Sequence, residues 1–181
     1  IPASVEKLFT TSTALVRLGP SARLRTTVAG RGFLDPDGVW QGDLYLQGGG
    51  DPSLSTLGLA KLADRVAAVG VVRVEGRVLA DESWFDPARG GPATGLRYDR
   101  DLGGVLGALT VGRGFARRGG PAGAAARALV AALRDRAGIR VVDGVGAGRV
   151  PAGARTLATL PSPTVAALVR SGVAGRDLAP V

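Results

Sequence analysis

The chain has 181 residues, 45% of them hydrophobic, enough for one sizeable core or two small ones. It contains no cysteine and no histidine, which excludes a disulfide framework and a thiolate metal site; with only scattered carboxylates, no transition metal or other cofactor is expected. The net charge of +8 would suit a nucleic acid, but lysine occurs only at positions 7 and 61. The arginines are spread without a dense block or a cluster of stacking aromatics, so a solvated basic surface is the better reading.

Ser4 to about Arg17 reads as a helix, with Leu8, Thr11 and Leu15 on one side and Gly19-Pro20 ending it. Ser4 and Lys7 lie three residues apart, so on a helix the amine can reach the hydroxyl. A serine hydroxyl attacks poorly until a base takes its proton, and without histidine a lysine must do so. Lys7 can act as that base only if burial or a nearby cation lowers its pKa from about 10.4 toward about 7–8. The alternative is a plain helix start with Ser4 as N-cap.

The pattern then changes to strands. Arg23 to Ala29 and Val39 to Gln47 flank the turn signal Asp35-Pro36-Asp37-Gly38 and read as a hairpin. Gly48-Gly49-Gly50-Asp51-Pro52 reads as a tight loop. It is no phosphate cradle, because no Gly-Lys-Ser/Thr follows. Asp43 and Asp51 read as turn and hairpin residues. From Ser55 the spacing of Leu59, Leu62, Ala63, Val66 and Val69 predicts a helix stopped by Gly70. Val72, Val74, Gly76 and Val78 alternate with charged residues and predict one half-buried strand. Residues 87–120 are glycine-rich and read as loop, with one strand expected at Val105 to Val111. Pro121 opens a helix with Ala126, Leu129, Val130 and Leu133 on one stripe, ended by Gly138, and Ile139 to Val142 reads as a strand. Ser162 is expected to cap a last short helix, with Pro163 in its first turn.

Pro2-Ala3-Ser4-Val5-Glu6-Lys7-Leu8-Phe9-Thr10-Thr11 resembles the active-site helix of the class C low-molecular-mass penicillin-binding proteins, the D-alanyl-D-alanine carboxypeptidases/endopeptidases of peptidase family S13. Leu24 to Val28 and the run from Gly42 to Leu54 are similar to the opening of the domain that this branch inserts between its first two catalytic motifs. Val74 to Val78 and Asp81-Glu82-Ser83-Trp84-Phe85-Asp86 are similar to its next part. Ser162-Pro163 with Val165 to Arg170 resembles the return to the catalytic domain. The elements stand in family order along nearly the whole chain.

The resemblance implies an α/β (α+β) chain: a partial serine β-lactamase/transpeptidase-like fold around a mixed α/β insert. Residues 1–22 would hold the active-site helix, 23–156 the insert, and 157–181 a truncated return. It implies acyl transfer, with Ser4 attacking a D-Ala-D-Ala carbonyl and Lys7 accepting its proton, and with peptidoglycan stem peptides and β-lactams as partners. No nucleic acid and at most peripheral membrane association are expected, in an extracytoplasmic location. Trp84 and Asp86 would stand where the insert approaches the substrate cleft and touch the peptide stem. Read as residues alone, they are a core tryptophan beside Phe85 and a turn aspartate before Pro87.

Two departures accompany the resemblance. The tail Gly172-Val173-Ala174-Gly175-Arg176-Asp177-Leu178 supplies neither the serine nor the asparagine of the family's second motif, and no Lys-Thr/Ser-Gly third motif occurs. Ile1 is no translational start in a sequence without methionine, so the chain reads as a fragment that would be inactive by itself. The alternative is a non-catalytic homologue that binds peptidoglycan or a partner.

Overall fold

The structure is a computed structural model that describes residues 5–97, 105, 107–114 and 120–173. Helix α1 (Glu6–Leu18) ends at Gly19, whose N–H is donated to the Leu15 carbonyl. The chain then enters a mixed sheet. Strands β1 (Arg23–Leu34) and β2 (Val39–Gln47) form the expected hairpin in register Thr27↔Gln47 to Leu34↔Trp40. Its turn is closed by Asp35, whose carboxylate accepts from Gln41 Nε2 (3.1 Å) and from the N–H groups of Val39 (2.8 Å) and Asp37 (3.1 Å). The Gln41 amide first, then these N–H groups, hold the Asp35 carboxyl below its usual range.

Helix α2 (Thr56–Ala68) follows, capped by Ser55, whose hydroxyl accepts from Gly58 N–H. Its apolar stripe of Leu59, Leu62, Ala63 and Val66 is fully buried, as the spacing requires. Strands β3 (Arg73–Glu75) and β4 (Val78–Asp81) both lie parallel to β2. Helix α3 (Gly120–Asp135) leads to β5 (Arg140–Val141) and β6 (Val145–Ala147), which lie parallel to β3 and β4 respectively. Strand β7 (Arg155–Thr164) returns antiparallel to β1, and α4 (Val165–Val173) packs against α1. The order across the sheet is β5-β3-β2-β1-β7, with β4 beside β2 and β6 beside β4. Helices α2 and α3 lie together on one face and enclose the core: Val28, Trp40, Leu44, Leu46, Val74 and Val78 from the sheet meet Leu59, Leu62, Leu129 and Leu133.

Three expectations are corrected. The single strand across Val72 to Val78 is two strands, because Gly76 breaks the ladder: a side chain there would collide with the Gly42 carbonyl of β2 (2.6 Å from its carbon) and approach Asp43 N (3.0 Å). Gly76 also has φ of +159°, so only glycine lets the chain pass so close to its neighbour. No strand occurs in the described part of residues 105–111; Gly112–Gly114 forms a 3-10 turn instead. Ser162 does not cap α4. It lies buried in β7, accepting from Leu24 N–H (3.0 Å) and donating to the Pro163 carbonyl (2.6 Å), and the cap is Thr164, which accepts from Ala167 N–H (3.2 Å). Pairing of Arg23 with Thr164 keeps both Ser162 and Pro163 in the strand.

Gly76 offers a clean test. Gly76→Ala should lower unfolding free energy by at least about 2 kcal/mol, since backbone atoms it meets cannot swing aside. Gly138→Ala, at φ +70° but with nothing within 4 Å of the added carbon, should cost only about 1 kcal/mol. Parallel urea titrations of both variants would check the difference.

Candidate functional site

Of the two nucleophile candidates, Ser4 lies outside the described residues, so its distance to Lys7 is not part of the structure. Lys7 is on the first turn of α1 and exposed, and its carbonyl accepts from the Thr11 hydroxyl (2.7 Å). The surrounding helix is unusually bare: Leu8, Phe9 and Val16 are all exposed, Phe9 by 72%.

Trp84 and Asp86 are brought together. A cavity of about 670 Å³ opens at the ends of β2 and β4, walled by Gly50 and Pro52 on one side and by Trp84, Phe85 and Asp86 on another, with Arg113 among its remaining lining. Trp84 is 67% exposed and Phe85 52%, which corrects the core reading of this pair: their side chains line an open cavity instead of filling the interior. Asp86 is the turn residue its position before Pro87 predicts, accepting from Ala88 N–H (2.9 Å), and it also lines the cavity. Aromatic side chains beside a carboxylate can hold an apolar stem.

Each wall has a local cause. Gly50 N–H is donated to the Ala108 carbonyl (2.8 Å), and an added carbon at Gly50 would meet the Phe85 ring at 2.8 Å, so the glycine loop can sit directly against the aromatic wall. Asp51 anchors this loop by accepting from Ser53 N–H (2.8 Å) and Ser53 Oγ (2.6 Å). Arg89 pairs with Glu82 (2.8 Å) and closes residues 82–89 on themselves.

Sequence reasoning missed Asp81. This carboxylate, 1% exposed at the end of β4, accepts from Ser83 N–H (2.9 Å), Gln47 Nε2 (3.1 Å) and Val150 N–H (2.9 Å). Val150 belongs to residues 148–154, which cross from β6 to β7 over the sheet face opposite the helices; Ala152 of this strap accepts from Arg31 on β1. The available signal was an aspartate ending the apolar run Val78-Leu79-Ala80. Burial opposes the Asp81 charge, but the Val150 N–H, the Ser83 hydroxyl and N–H, and the Gln47 amide together outweigh it and hold the carboxyl below its usual value. A depressed folded-state pKa stabilises the fold above the unfolded value of about 3.9, and that contribution is lost as pH falls through the folded value. Urea midpoints should therefore change little between pH 5 and 7 on account of Asp81 and fall below about pH 4; in Asp81→Asn this part of the acid limb should be missing.

The fold is shared with known penicillin-binding proteins. Penicillin binding protein 4 (dacB) from Haemophilus influenzae superposes on 93% of this chain with a TM-score of 0.74 at 16% identity, the match covering 52% of that chain. The same protein complexed with a novel β-lactam gives 0.63 at 17% identity, over 93% of this chain and 50% of that one. A D-alanyl-D-alanine carboxypeptidase of Actinomadura sp. (strain R39) is 46% identical over 89 residues, which is 49% of this chain and 16% of that protein. The family model of the D-Ala-D-Ala carboxypeptidase 3 (S13) family matches residues 1–95, more than half of the sequence. The chain belongs to this family. It spans about half the length of the solved structures and about a sixth of the curated relative it matches.

Proposed function

We propose that this chain contributes the nucleophile helix and the inserted domain of a serine D-Ala-D-Ala carboxypeptidase/endopeptidase acting on peptidoglycan stem peptides. The observation that carries the reading is the family match over residues 1–95, which contains the Ser4-x-x-Lys7 step. Ser4 attacks the carbonyl of the D-Ala-D-Ala bond while Lys7 takes its proton; backbone N–H groups, that of Ser4 among them, hold the oxyanion. Terminal D-alanine leaves and water frees the shortened peptide. β-Lactams, one of which is bound to the Haemophilus protein, would acylate the same serine. Trp84 and Asp86 form the subsite for the side chain of the stem peptide, where the 670 Å³ cavity is wide enough for such a chain. Such a peptidase works outside the cytoplasm. No helix among the described residues is long and apolar enough to cross a membrane.

Residues 23–156 are proposed as the insert between residues 1–22 and 157–181 of a transpeptidase domain. An inserted unit needs adjacent ends, and here Val165 N–H is donated to the Ala22 carbonyl (2.8 Å) and Ala166 N–H to that of Pro20 (3.0 Å). The 156/157 junction falls inside β7, which pairs with β1 up to Thr164. The bare apolar residues of α1 are then the surface on which the rest of that domain would pack.

The test is labelling of a full-length protein carrying these residues with a fluorescent penicillin, followed by peptide mapping. An adduct on the peptide holding Ser4 supports the reading. A protein that never labels yet sediments with peptidoglycan would favour a binding-only homologue, the reading that the unmatched second motif at Gly172 to Leu178 favours.

A further inference from the structure

We propose that Asp81 is the positioning residue of the cavity: its carboxylate fastens the aromatic wall and the crossing strap to the sheet, and so fixes where Trp84 and Asp86 stand. The assignment deepens the stem-peptide reading of the cavity and rests on it.

Both walls begin at one point. Gln47 and Asp81 are paired partners at the ends of β2 and β4, and the next residues lead into the glycine loop and the Trp84 turn. The Asp81 carbonyl accepts from Gly48 N–H (3.0 Å), the first residue of the glycine loop. Its Oδ1 accepts from Ser83 N–H, the residue before Trp84, and its Oδ2 from Gln47 and Val150. Most other bonds of the wall close it on itself: Arg89 to Glu82, Ala88 to Asp86, Phe85 N–H to the Glu82 carbonyl (3.3 Å) and Arg89 N–H to the Leu96 carbonyl (2.8 Å). The Ser83–Asp81 bond therefore ties an irregular segment to a regular strand.

The chemistry demands a carboxylate. Every partner of Asp81 is a donor, and two of them, Ser83 and Val150, are backbone N–H groups that cannot be turned round. Asparagine has the same shape, but its amide nitrogen must face one of those two donors, whereas Gln47 can rotate its amide to suit. Asp81→Asn thus releases either the wall or the strap while leaving the apolar core untouched.

The two tryptophans make this measurable, because Trp40 is 1% exposed in the core and Trp84 lines the cavity. In a full-length protein carrying these residues and labelled with 5-fluorotryptophan, Asp81→Ala, which removes both the Ser83 and the Val150 bond, should shift or broaden the Trp84 fluorine resonance and leave that of Trp40 in position. Titration with Nα-acetyl-L-Lys-D-Ala-D-Ala, read at Trp84, should show binding weakened about tenfold or more. A Trp84 resonance unchanged by the substitution overturns the proposal. If the variant loses the Trp40 signal too, hydrogen exchange in the unsubstituted protein decides. Ser83 and Val150 N–H slowed together by on the order of 100-fold support the proposal, and Ser83 exchanging at the free-chain rate overturns it. An unsubstituted protein whose Trp84 never responds to the peptide sinks the stem-peptide reading instead, and the spectral comparison still judges Asp81.

Discussion

Replacing Ser4 with alanine in a full-length protein that carries these residues should abolish covalent labelling by a fluorescent penicillin and cut release of D-alanine by at least about 10⁴-fold. No acyl-enzyme can form without the attacking oxygen, so the loss falls on the chemical step and not on substrate binding. Lys7→Arg should be nearly as damaging: a guanidinium stays protonated at any working pH and cannot accept the serine proton. The plain helix-start reading of Ser4 predicts something different: labelling that persists in Ser4→Ala. The cap position of α1 falls to Val5, which makes no side-chain cap bond. Persistent labelling in Ser4→Ala, or an adduct mapped to another peptide, would remove Ser4 from the mechanism.

Trp40→Ala should destabilise the fold by about 3–5 kcal/mol, lowering the melting temperature by about 10 °C or more. Trp40 is among the largest fully buried side chains, and it is held between strands rather than at a rim: it pairs with Leu34 on β1 and Val74 on β3. Its ring lies over Gly30, where an added carbon would fall 2.6 Å from Cε2, so the site is filled on both sides and cannot collapse cheaply around a missing indole. The indole N–H is buried without an acceptor among the described residues, a polar group left unpaired at a cost of about 1–3 kcal/mol. Trp40→Phe likewise leaves no unpaired donor but keeps most of the ring volume, so its penalty should be less than half that of alanine. Denaturant titrations of both variants would check this; equal penalties would mean that the lost ring volume does not set the cost.

The parts legible in the sequence were those decided locally. The stripe from Leu59 to Val66 and the Asp35-Pro36-Asp37-Gly38 turn announce α2 and the hairpin because spacing and turn chemistry act within a few residues. The errors came from distant partners. Alternation through Val74, Gly76 and Val78 continues smoothly in sequence, yet the break at Gly76 is imposed by the Gly42 carbonyl of another strand. Ser162-Pro163 has the composition of a helix start, and only pairing of β7 with β1, across about 140 residues of chain, makes it strand. In the site, family likeness singled out Trp84 and Asp86, but the residues alone read as a core tryptophan and a turn aspartate, and the opening beside them was not legible: an aromatic pair carries no local mark of whether it fills a core or lines a cavity. Asp81 was hidden for the same reason, since its partners come from β2, the following turn and a strap nearly seventy residues away.

The contact between Ala22 and Val165 has a mechanical meaning. Because the two legs of the sheet unit are joined at their base, a pull or twist delivered through α1 and α4 is carried across that joint, and the strands beyond it bear none of the load. With residues 23–156 as the insert proposed above, the unit would hang as a side branch, not as a link in series.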